Sequence, residues 1–296
     1  MIAPVARCAA GCAALLLTGC GGADPRPVAA GDGVVSLDYC ADQIVVGLVA
    51  PDRIRAVSPE AASDASFAAP RARGLRTIRP SLEEIAALRP RYAVRLYGGA
   101  PGIDRQLAAL GITVVQLNFV PNIQGVAAEM RRVGRALDAM PRADRLARQF
   151  EGALAAAPPA PAPPSQASPA PVPGASGRPR LLYMTPGDVT TGADSFVGQV
   201  IVAAGFQTVR NAPGWGSLPV EAMVRRPPDA VLTAFFDSAR YRQDRWSAST
   251  HPRMRKVVAA LPRADVPGSA LACGNWLAGD ALRALTALRR QLGPAT

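Results

Sequence analysis

A proline-rich stretch divides this chain into two regular parts. Residues 158–179 consist mostly of Pro, Ala and Ser, a composition that cannot bury a hydrophobic core and that predicts a flexible or polyproline-like spacer. The chain has 296 residues, of which 49% are hydrophobic, which is enough for two medium-sized globular units. We therefore expect one folded unit on each side of the spacer.

The first part, residues 34–137, alternates between strand and helix patterns. Buried strands are predicted at 34–37, 54–57, 92–96 and 112–117, with amphipathic helices at 38–49, 103–110 and 125–137. Ser81 and Glu84 have the spacing of a capping box at the start of another helix. Strands and helices that alternate with short connections predict a mostly parallel α/β lobe.

The second part, residues 180–296, repeats this alternation. Strands are predicted at 181–184, 230–234 and 269–272, and a closing helix at 280–292. Between the two parts, residues 138–157 predict one long amphipathic helix before the spacer. The expected fold class is α/β, with two Rossmann-like lobes joined by this helix. A crevice between such lobes is a common ligand site, since strand ends and helix N-termini converge there.

The first twenty residues have the character of an export signal. Arg7 precedes an apolar run of about ten residues, shorter than the roughly 20 needed to span a bilayer. The run ends in Leu17-Thr18-Gly19-Cys20, which resembles a bacterial lipobox. We expect residues 1–19 to be removed, Cys20 to be lipidated, and residues 20–33 to form a membrane-anchored tether. An ordinary signal peptide with an incidental Cys is the alternative.

The formal charge of +11 does not predict nucleic-acid binding. The basic residues are nearly all Arg, with Lys256 the only lysine, and no Lys/Arg run or basic stretch with interleaved aromatics occurs. This bias is typical of a GC-rich genome. A weaker role of the charge, favouring an anionic ligand or a membrane surface, stays open.

The common catalytic motifs are missing from the sequence. His251 is the only histidine, and no Gly-x-Ser-x-Gly elbow or P-loop is present. A zinc enzyme would need several His or Cys ligands that this chain lacks. We therefore expect no enzyme activity, no catalytic residue, no resident metal and no cofactor, with a secreted hydrolase as a weak alternative.

Four stretches together resemble the substrate-binding proteins of ABC importers for cobalamin, ferric siderophores and haem. They are 34–42 (VVSLDYCAD), 79–90 (RPSLEEIAALRP), 191–198 (TGADSFVG) continued by 203–206 (AAGF), and 218–229 (LPVEAMVRRPPD). The resemblance covers residues 33–292 apart from the spacer. It implies a two-lobed fold, a rigid connecting helix and a cleft that binds a small ring-bearing ligand. The long spacer departs from this family.

The resemblance also implies ligand contacts at aromatic and polar positions of the cleft. Trp215, among turn-forming residues, matches a Trp of the cobalamin binders, and an exposed loop aromatic suits a planar ligand. Asn275-Trp276 occupies the place of an Asp-Trp pair in that family, and the change to Asn weakens a cobalamin assignment. Trp276, like Trp215, is expected to be an exposed aromatic at the cleft. Tyr39 and Tyr97 follow lobe-one strands and are expected at the cleft, although both could pack under a loop.

Two cysteines remain in the predicted mature chain, Cys40 and Cys273, each expected near the cleft. In an exported protein a disulfide between them is the leading interpretation. Ligation of a haem or cobalt centre, or two free thiols, are the alternatives.

One Glu per lobe begins a helix seven residues before a Pro: Glu83 in the first lobe and Glu221 in the second. The helix dipole alone favours an acidic residue at this position. The family's paired glutamates dock on arginines of the permease, so these two residues are the candidates for that contact. The predicted function is therefore that of a periplasmic, lipid-anchored, monomeric substrate-binding protein serving an ABC permease and its ATPase. A surface lipoprotein acting in adhesion or assembly is the non-transport alternative.

Overall fold

The computed structural model describes residues 31–158, 177–218, 220–235 and 251–293. Cys20 and residues 159–176 of the predicted spacer lie outside the described residues. Both described halves of the chain are α/β and contain parallel sheets, as the sequence predicts.

The first lobe is a four-stranded parallel sheet in the order β2-β1-β3-β4. Helices on both faces cover it, and buried aliphatic side chains fill the space between the layers. Its elements are β1 (Val34–Ser36), α1 (Tyr39–Leu48), β2 (Ile54–Ala56), α2 (Ala69–Ala72), α3 (Leu82–Leu88), β3 (Tyr92–Arg95), α4 (Ile103–Ala109), β4 (Thr113–Gln116) and α5 (Val126–Ala136), with short 3₁₀ turns at Pro51–Arg53, Pro59–Ala62 and Ile123–Gly125.

Helix α6 (Met140–Ala155) leads from the first lobe towards the second and packs against α5. It begins two residues later than the predicted 138, because Asp138 has a positive φ of 54° and Ala139 is not helical. The apolar side of α6 is buried at Ala143, Ala147, Phe150 and Ala153.

The second lobe is a parallel sheet in the order β10-β9-β5-β7 with a separate antiparallel pair, β6-β8. Its elements are β5 (Arg180–Met184), β6 (Val189–Thr191), α7 (Phe196–Ala203), β7 (Gln207–Thr208), β8 (Trp215–Ser217), α8 (Val220–Arg225), β9 (Ala230–Thr233), α9 (Pro252–Ala259), β10 (Arg263–Asp265), α10 (Ser269–Ala272) and α11 (Ala278–Gln291).

The strand predicted at 269–272 is wrong. These residues form the short helix α10, and the neighbouring strand is β10, at 263–265. A four-residue apolar run is compatible with either state, and here Pro267-Gly268 starts a turn into a buried helix. The sequence also gave no sign of β6 and β8, which are three residues each and contain polar side chains.

The lobes contact each other directly as well as through α6. Gln199 of α7 donates from Nε2 to the carbonyl of Pro121 (3.0 Å) and accepts at Oε1 from the amide of Ile123 (3.2 Å). A Cβ at Gly274 would lie 3.5 Å from Val120 and 3.7 Å from Phe196. The interlobe contact is therefore tight around the connection between β4 and α5.

Candidate ligand-binding cleft

The candidate cleft lies between the lobes, at the carboxyl ends of first-lobe strands β3 and β4 and beside the residues that follow α10. Ligands of parallel α/β sheets bind outside the carboxyl ends of the strands. A small pocket at this place is lined by residues of both lobes: Cys40, Ile44, Leu96, Leu117, Asn118, Val120, Val126, Glu129, Met130, Cys273, Gly274 and Asn275. Cys40, from the beginning of the first lobe, thus lines the same pocket as Cys273 and Asn275, from near the end of the chain.

A buried carboxylate, Asp38, organises the first-lobe wall. Its Oδ1 accepts the Ala41 amide at 2.9 Å and so caps α1, while its Oδ2 accepts three consecutive amides of the loop after β3, from Leu96, Tyr97 and Gly98, at 2.7–3.1 Å. A Cβ at Gly98 would lie 2.1 Å from the Leu37 carbonyl oxygen. Only glycine fits this approach, and the backbone of Tyr97 is fixed as a result.

Tyr97 and Tyr39 meet at Glu60, which sequence reasoning missed. The Tyr97 side chain is 56% exposed and its hydroxyl donates to Glu60 Oε2 at 3.3 Å, while the Tyr39 amide donates to the same oxygen at 3.2 Å. The Tyr39 hydroxyl donates to the Ala65 carbonyl at 3.3 Å. Burial, and then the charge of Asp38, raise the pKa of Tyr97. The phenol is therefore neutral at physiological pH.

A second carboxylate lies beneath this wall without a cationic partner. Asp42 is fully buried and accepts the hydroxyl of Ser36, the hydroxyl of Ser58 (2.6 Å) and the amide of Ser58 (2.9 Å). Burial raises the pKa of Asp42 to about 6, against the lowering effect of these hydrogen bonds. Asp42 thereby ties α1 to the end of β2, just before the turn that carries Glu60.

Trp215 is an exposed aromatic residue of the second lobe. It begins β8 instead of lying in a loop, and 53% of its surface is exposed. Its ring contacts Tyr183 edge-on, with centroids 6.0 Å apart. The preceding turn is fixed by Asp194, whose two carboxylate oxygens accept the Gly214 amide at 2.8 and 3.0 Å. The indole thus has a supported base and an open face.

Phe119 was missed by the sequence analysis. It follows β4 at the carboxyl end of the first sheet, and 77% of its surface is exposed, more than that of Tyr97 or Trp215. The signal was available in Asn118-Phe119-Val120, an aromatic residue directly after a predicted strand. The same argument that singled out Trp215 applies to this position.

Asn275 and Trp276 are buried, so the exposure expected for Trp276 was wrong. Asn275 donates from Nδ2 to Gln43 Oε1 of α1 at 2.6 Å and lines the pocket floor. The Trp276 ring is 8% exposed, stands edge-on to Phe67 (5.7 Å between centroids) and fills the space above Gly47. Both side chains join the lobes, and only Asn275 reaches the pocket.

Cys40 and Cys273 form a disulfide in the structure, with an S–S distance of 2.07 Å. The bond joins the first turn of α1 to the end of α10, so it is a covalent link between the lobes. Together with Gln43–Asn275 and Gly47–Trp276 it forms a stripe of contacts at i, i+3 and i+7 of α1. We call this stripe the α1 latch.

Glu83 and Glu221 are exposed in the first turns of α3 and α8. They occupy matching places in the two lobes, and neither lines the pocket at the lobe interface.

Within the described residues, no group of three or more His, Cys, Asp or Glu side chains could hold a metal ion. Among the helices of that same part of the chain, none has the length and apolar character to cross a bilayer.

Sequence comparison identifies the family. A model described as periplasmic binding protein matches residues 34–245. The chain belongs to the periplasmic binding protein family. This confirms the resemblance inferred from the four sequence stretches. No curated protein sequence matches the chain.

Solved structures of this family share the two-lobed fold. The haem-binding protein RhuT from Roseiflexus sp. RS-1, in its apo form, is 19% identical with a TM-score of 0.61, over 88% of this chain and 99% of that one. A periplasmic haem-binding protein from Pseudomonas aeruginosa is 20% identical (TM-score 0.59; 90% and 95% covered). The vitamin B12-binding protein BtuF of Vibrio cholerae is 16% identical (0.56; 89% and 98%).

Proposed function

We propose that this chain is the substrate-binding component of an ABC importer and that it captures a ring-bearing ligand: haem, cobalamin or a ferric siderophore. The observation that carries the proposal is the set of exposed aromatic rings in the two lobes: Tyr97 after β3, Phe119 after β4 and Trp215 at the start of β8. Large exposed aromatics on a rigid wall are costly to leave in water, and they supply contact area for a flat ligand. The similar structures named for haem and vitamin B12 support the same ligand class.

The cleft residues suit binding of a ligand that is not chemically altered. Their polar groups are fixed by hydrogen bonds to the backbone, as at Asp38 and Asp194, and the Tyr97 phenol is neutral. The α1 latch favours a cleft that changes little on binding, because a disulfide and a buried indole oppose separation of the lobes. Release of the ligand then requires the permease.

A fluorescence titration with haem, cyanocobalamin and ferric siderophores tests the ligand class. Trp215→Ala is expected to weaken binding of the true ligand by about 1–3 kcal/mol, a typical loss for an interface aromatic. Val224→Ala is the matched control, because Val224 is also an exposed apolar side chain but lies on α8 and is not one of the proposed ligand contacts. Equal affinities for wild type and Trp215→Ala would reject the cleft assignment.

Docking and anchoring are tested separately. The double change Glu83→Ala, Glu221→Ala is expected to leave ligand affinity intact and to abolish permease-dependent uptake, because each lobe loses its carboxylate for a permease Arg. Full uptake by the double variant would show that the two glutamates only stabilise the starts of their helices and do not contact the permease.

For the anchor, Cys20→Ala should release the protein from the membrane to the periplasm, and mass spectrometry should find a lipidated Cys20 at the mature N-terminus.

A further inference from the structure

The amino ends of the second-lobe strands carry an unusual number of arginines. They come from the strand starts, the ends of α8 and α11, and the loops between them: Arg178, Arg180, Arg225, Arg226, Arg263, Arg289 and Arg290. We call this set the arginine edge. The only acidic side chain in the same described connections is Asp229, which accepts the backbone amide of Arg180 at 2.6 Å.

The members of the edge lie close enough to repel one another. The Arg180 guanidinium donates to the Arg226 carbonyl at 2.9 Å, and burial together with the Arg226 charge lowers the pKa of Arg180. Arg178 donates to the Val202 carbonyl, and burial with the Arg289 charge lowers its pKa in the same way. Such like-charge proximity is unfavourable unless an anion from outside offsets it.

Within the described residues, four of the seven arginines of the edge have no ionic partner. Arg225, Arg226, Arg263 and Arg290 are exposed, and none of them forms an ion pair with a carboxylate of the described residues. The spacer that joins this edge at 159–176 contains no charged residue. The spacer therefore leaves the charge of the edge unbalanced.

The equivalent edge of the first lobe provides an internal comparison. Its connections carry four arginines and three aspartates: Arg53, Arg89, Arg91, Arg135, Asp32, Asp52 and Asp138. Here the charges pair, with Arg53–Asp32 at 3.1 Å, Arg91–Asp138 at 3.6 Å and Arg91–Asp32 at 3.9 Å. The two lobes have similar folds, but arginines at this edge pair with aspartates in the first lobe, whereas four of those in the second lobe have no ionic partner among the described residues. A high overall Arg content therefore does not explain these unpaired arginines of the second lobe.

We propose that the arginine edge is a docking surface for the anionic phospholipid headgroups of a membrane. Guanidinium groups bind phosphate through paired hydrogen bonds, and a cluster of four to eight basic residues near a bilayer is typical of headgroup binding. The surface lies at the opposite strand ends from the cleft, so an edge on the membrane leaves the cleft open to solvent.

The geometry of the proposed anchor allows this contact. Within the predicted tether, residues 20–33, the eleven residues 20–30 precede Gly31 near the amino end of β1 and could span at most about 36–40 Å. Helix α6 leads from that lobe to the second over 16 residues, about 24 Å. The arginine edge is therefore within reach of a membrane that holds Cys20. This last step rests on the proposed lipidation, whereas the headgroup contact itself does not.

Vesicle cosedimentation of the full chain with Cys20→Ala tests the proposal without the lipid anchor. Binding is expected to phosphatidylcholine vesicles that contain about 30% phosphatidylglycerol, to be absent with phosphatidylcholine alone, and to be lost at about 0.5 M NaCl. The variant Arg225→Gln, Arg226→Gln, Arg263→Gln, Arg290→Gln should bind at least tenfold more weakly, since each arginine is expected to contribute roughly fivefold.

The matched control is Arg73→Gln, Arg76→Gln, Arg79→Gln, Arg105→Gln, which removes the same charge from exposed first-lobe positions. It should retain binding within about twofold. An equal loss in the control, or no dependence on phosphatidylglycerol, would overturn the proposal. So would tighter binding to duplex DNA than to the vesicles. Ligand titration of the same variants should be unchanged, so a failure here is distinct from a failure of the transport function.

Discussion

Gly47 offers a direct test of whether Trp276 serves the interlobe contact. Gly47 lies inside α1, where Ala is usually about 1 kcal/mol more favourable than Gly. However, a Cβ at this position would lie 2.4 Å from Cη2 and 2.7 Å from Cζ2 of Trp276. The indole is 8% exposed and is held edge-on by Phe67, so it has little room to move.

The clash should outweigh the helix propensity. Forcing an extra methyl group into a well-packed interior costs about 1–3 kcal/mol or more, and the indole ring is rigid. Subtracting the gain in propensity, we expect Gly47→Ala to lower the free energy of unfolding by up to about 2 kcal/mol. For a chain of this size the midpoint of thermal unfolding should fall by a few degrees, at about 2–4 °C per kcal/mol.

The assay is urea unfolding followed by circular dichroism, with Gly152→Ala as the control. Gly152 also lies inside a helix, α6, but nothing lies within 4 Å of a Cβ built there. This control should gain about 0.5–1 kcal/mol. Combining Gly47→Ala with Trp276→Leu should cost less than the sum of the two single changes. If Gly47→Ala is as stable as Gly152→Ala, the indole is not fixed against α1 and the latch argument is refuted.

Three further predictions follow from the same contacts. Replacing Cys40 and Cys273 by Ser should cost about 5 kcal/mol on the chain-entropy model, given their separation of 233 residues, and reductant should lower the wild-type unfolding temperature but not that of the variant. The folded pKa of Asp42 is raised to about 6, so its contribution to stability is present at low pH and declines as the pH rises from about 4 to 6. Over this range the free energy of unfolding of Asp42→Asn should therefore rise relative to that of the wild type by about 2–3 kcal/mol. A difference in free energy of unfolding that does not depend on pH would contradict this. Phe119→Ala should weaken ligand binding by about 1–3 kcal/mol, whereas Leu110→Ala, exposed at the opposite strand ends, should not.

Local patterns predicted most of the elements of this fold. Short buried apolar runs marked β1 (Val34-Val35) and β3 (Tyr92-Ala93-Val94). Ser81 caps α3 as expected and accepts the Glu84 amide at 3.3 Å. The Glu84 carboxylate returns to the amide of Arg79 at 3.0 Å and not to that of Ser81. Periodicity failed where elements are very short: 269–272 is helix α10, and the β6-β8 pair has too few residues to show alternation.

The site was harder to predict because its contacts join distant parts of the chain. The burial of Trp276 depends on a glycine 229 positions earlier in the chain, and no local signal relates the two. Glu60 contacts both tyrosines because the Asp42–Ser58 hydrogen bonds hold the start of the turn that carries it. The exposure of Trp215 and Tyr97 could be predicted, since each is an aromatic residue among turn-formers or directly after a strand. The same logic applied consistently would have found Phe119.

The net charge of +11 is a poor guide to the ligand once its location is considered. The arginine edge lies at the amino ends of the second-lobe strands, while the aromatic rings lie near the carboxyl ends. Strand β5 separates the two ends by five residues, roughly 13 Å. Interactions between exposed charges are largely screened beyond about 8 Å at physiological salt. The arginines of the edge therefore contribute little to the potential inside the cleft, and the affinity for the ligand should depend on ring contacts at Trp215 and Phe119 much more than on ionic strength. Salt should instead weaken the association of the arginine edge with membrane surfaces. Ligand titrations and vesicle-binding assays at two salt concentrations would therefore distinguish the role of the arginine edge from that of the cleft.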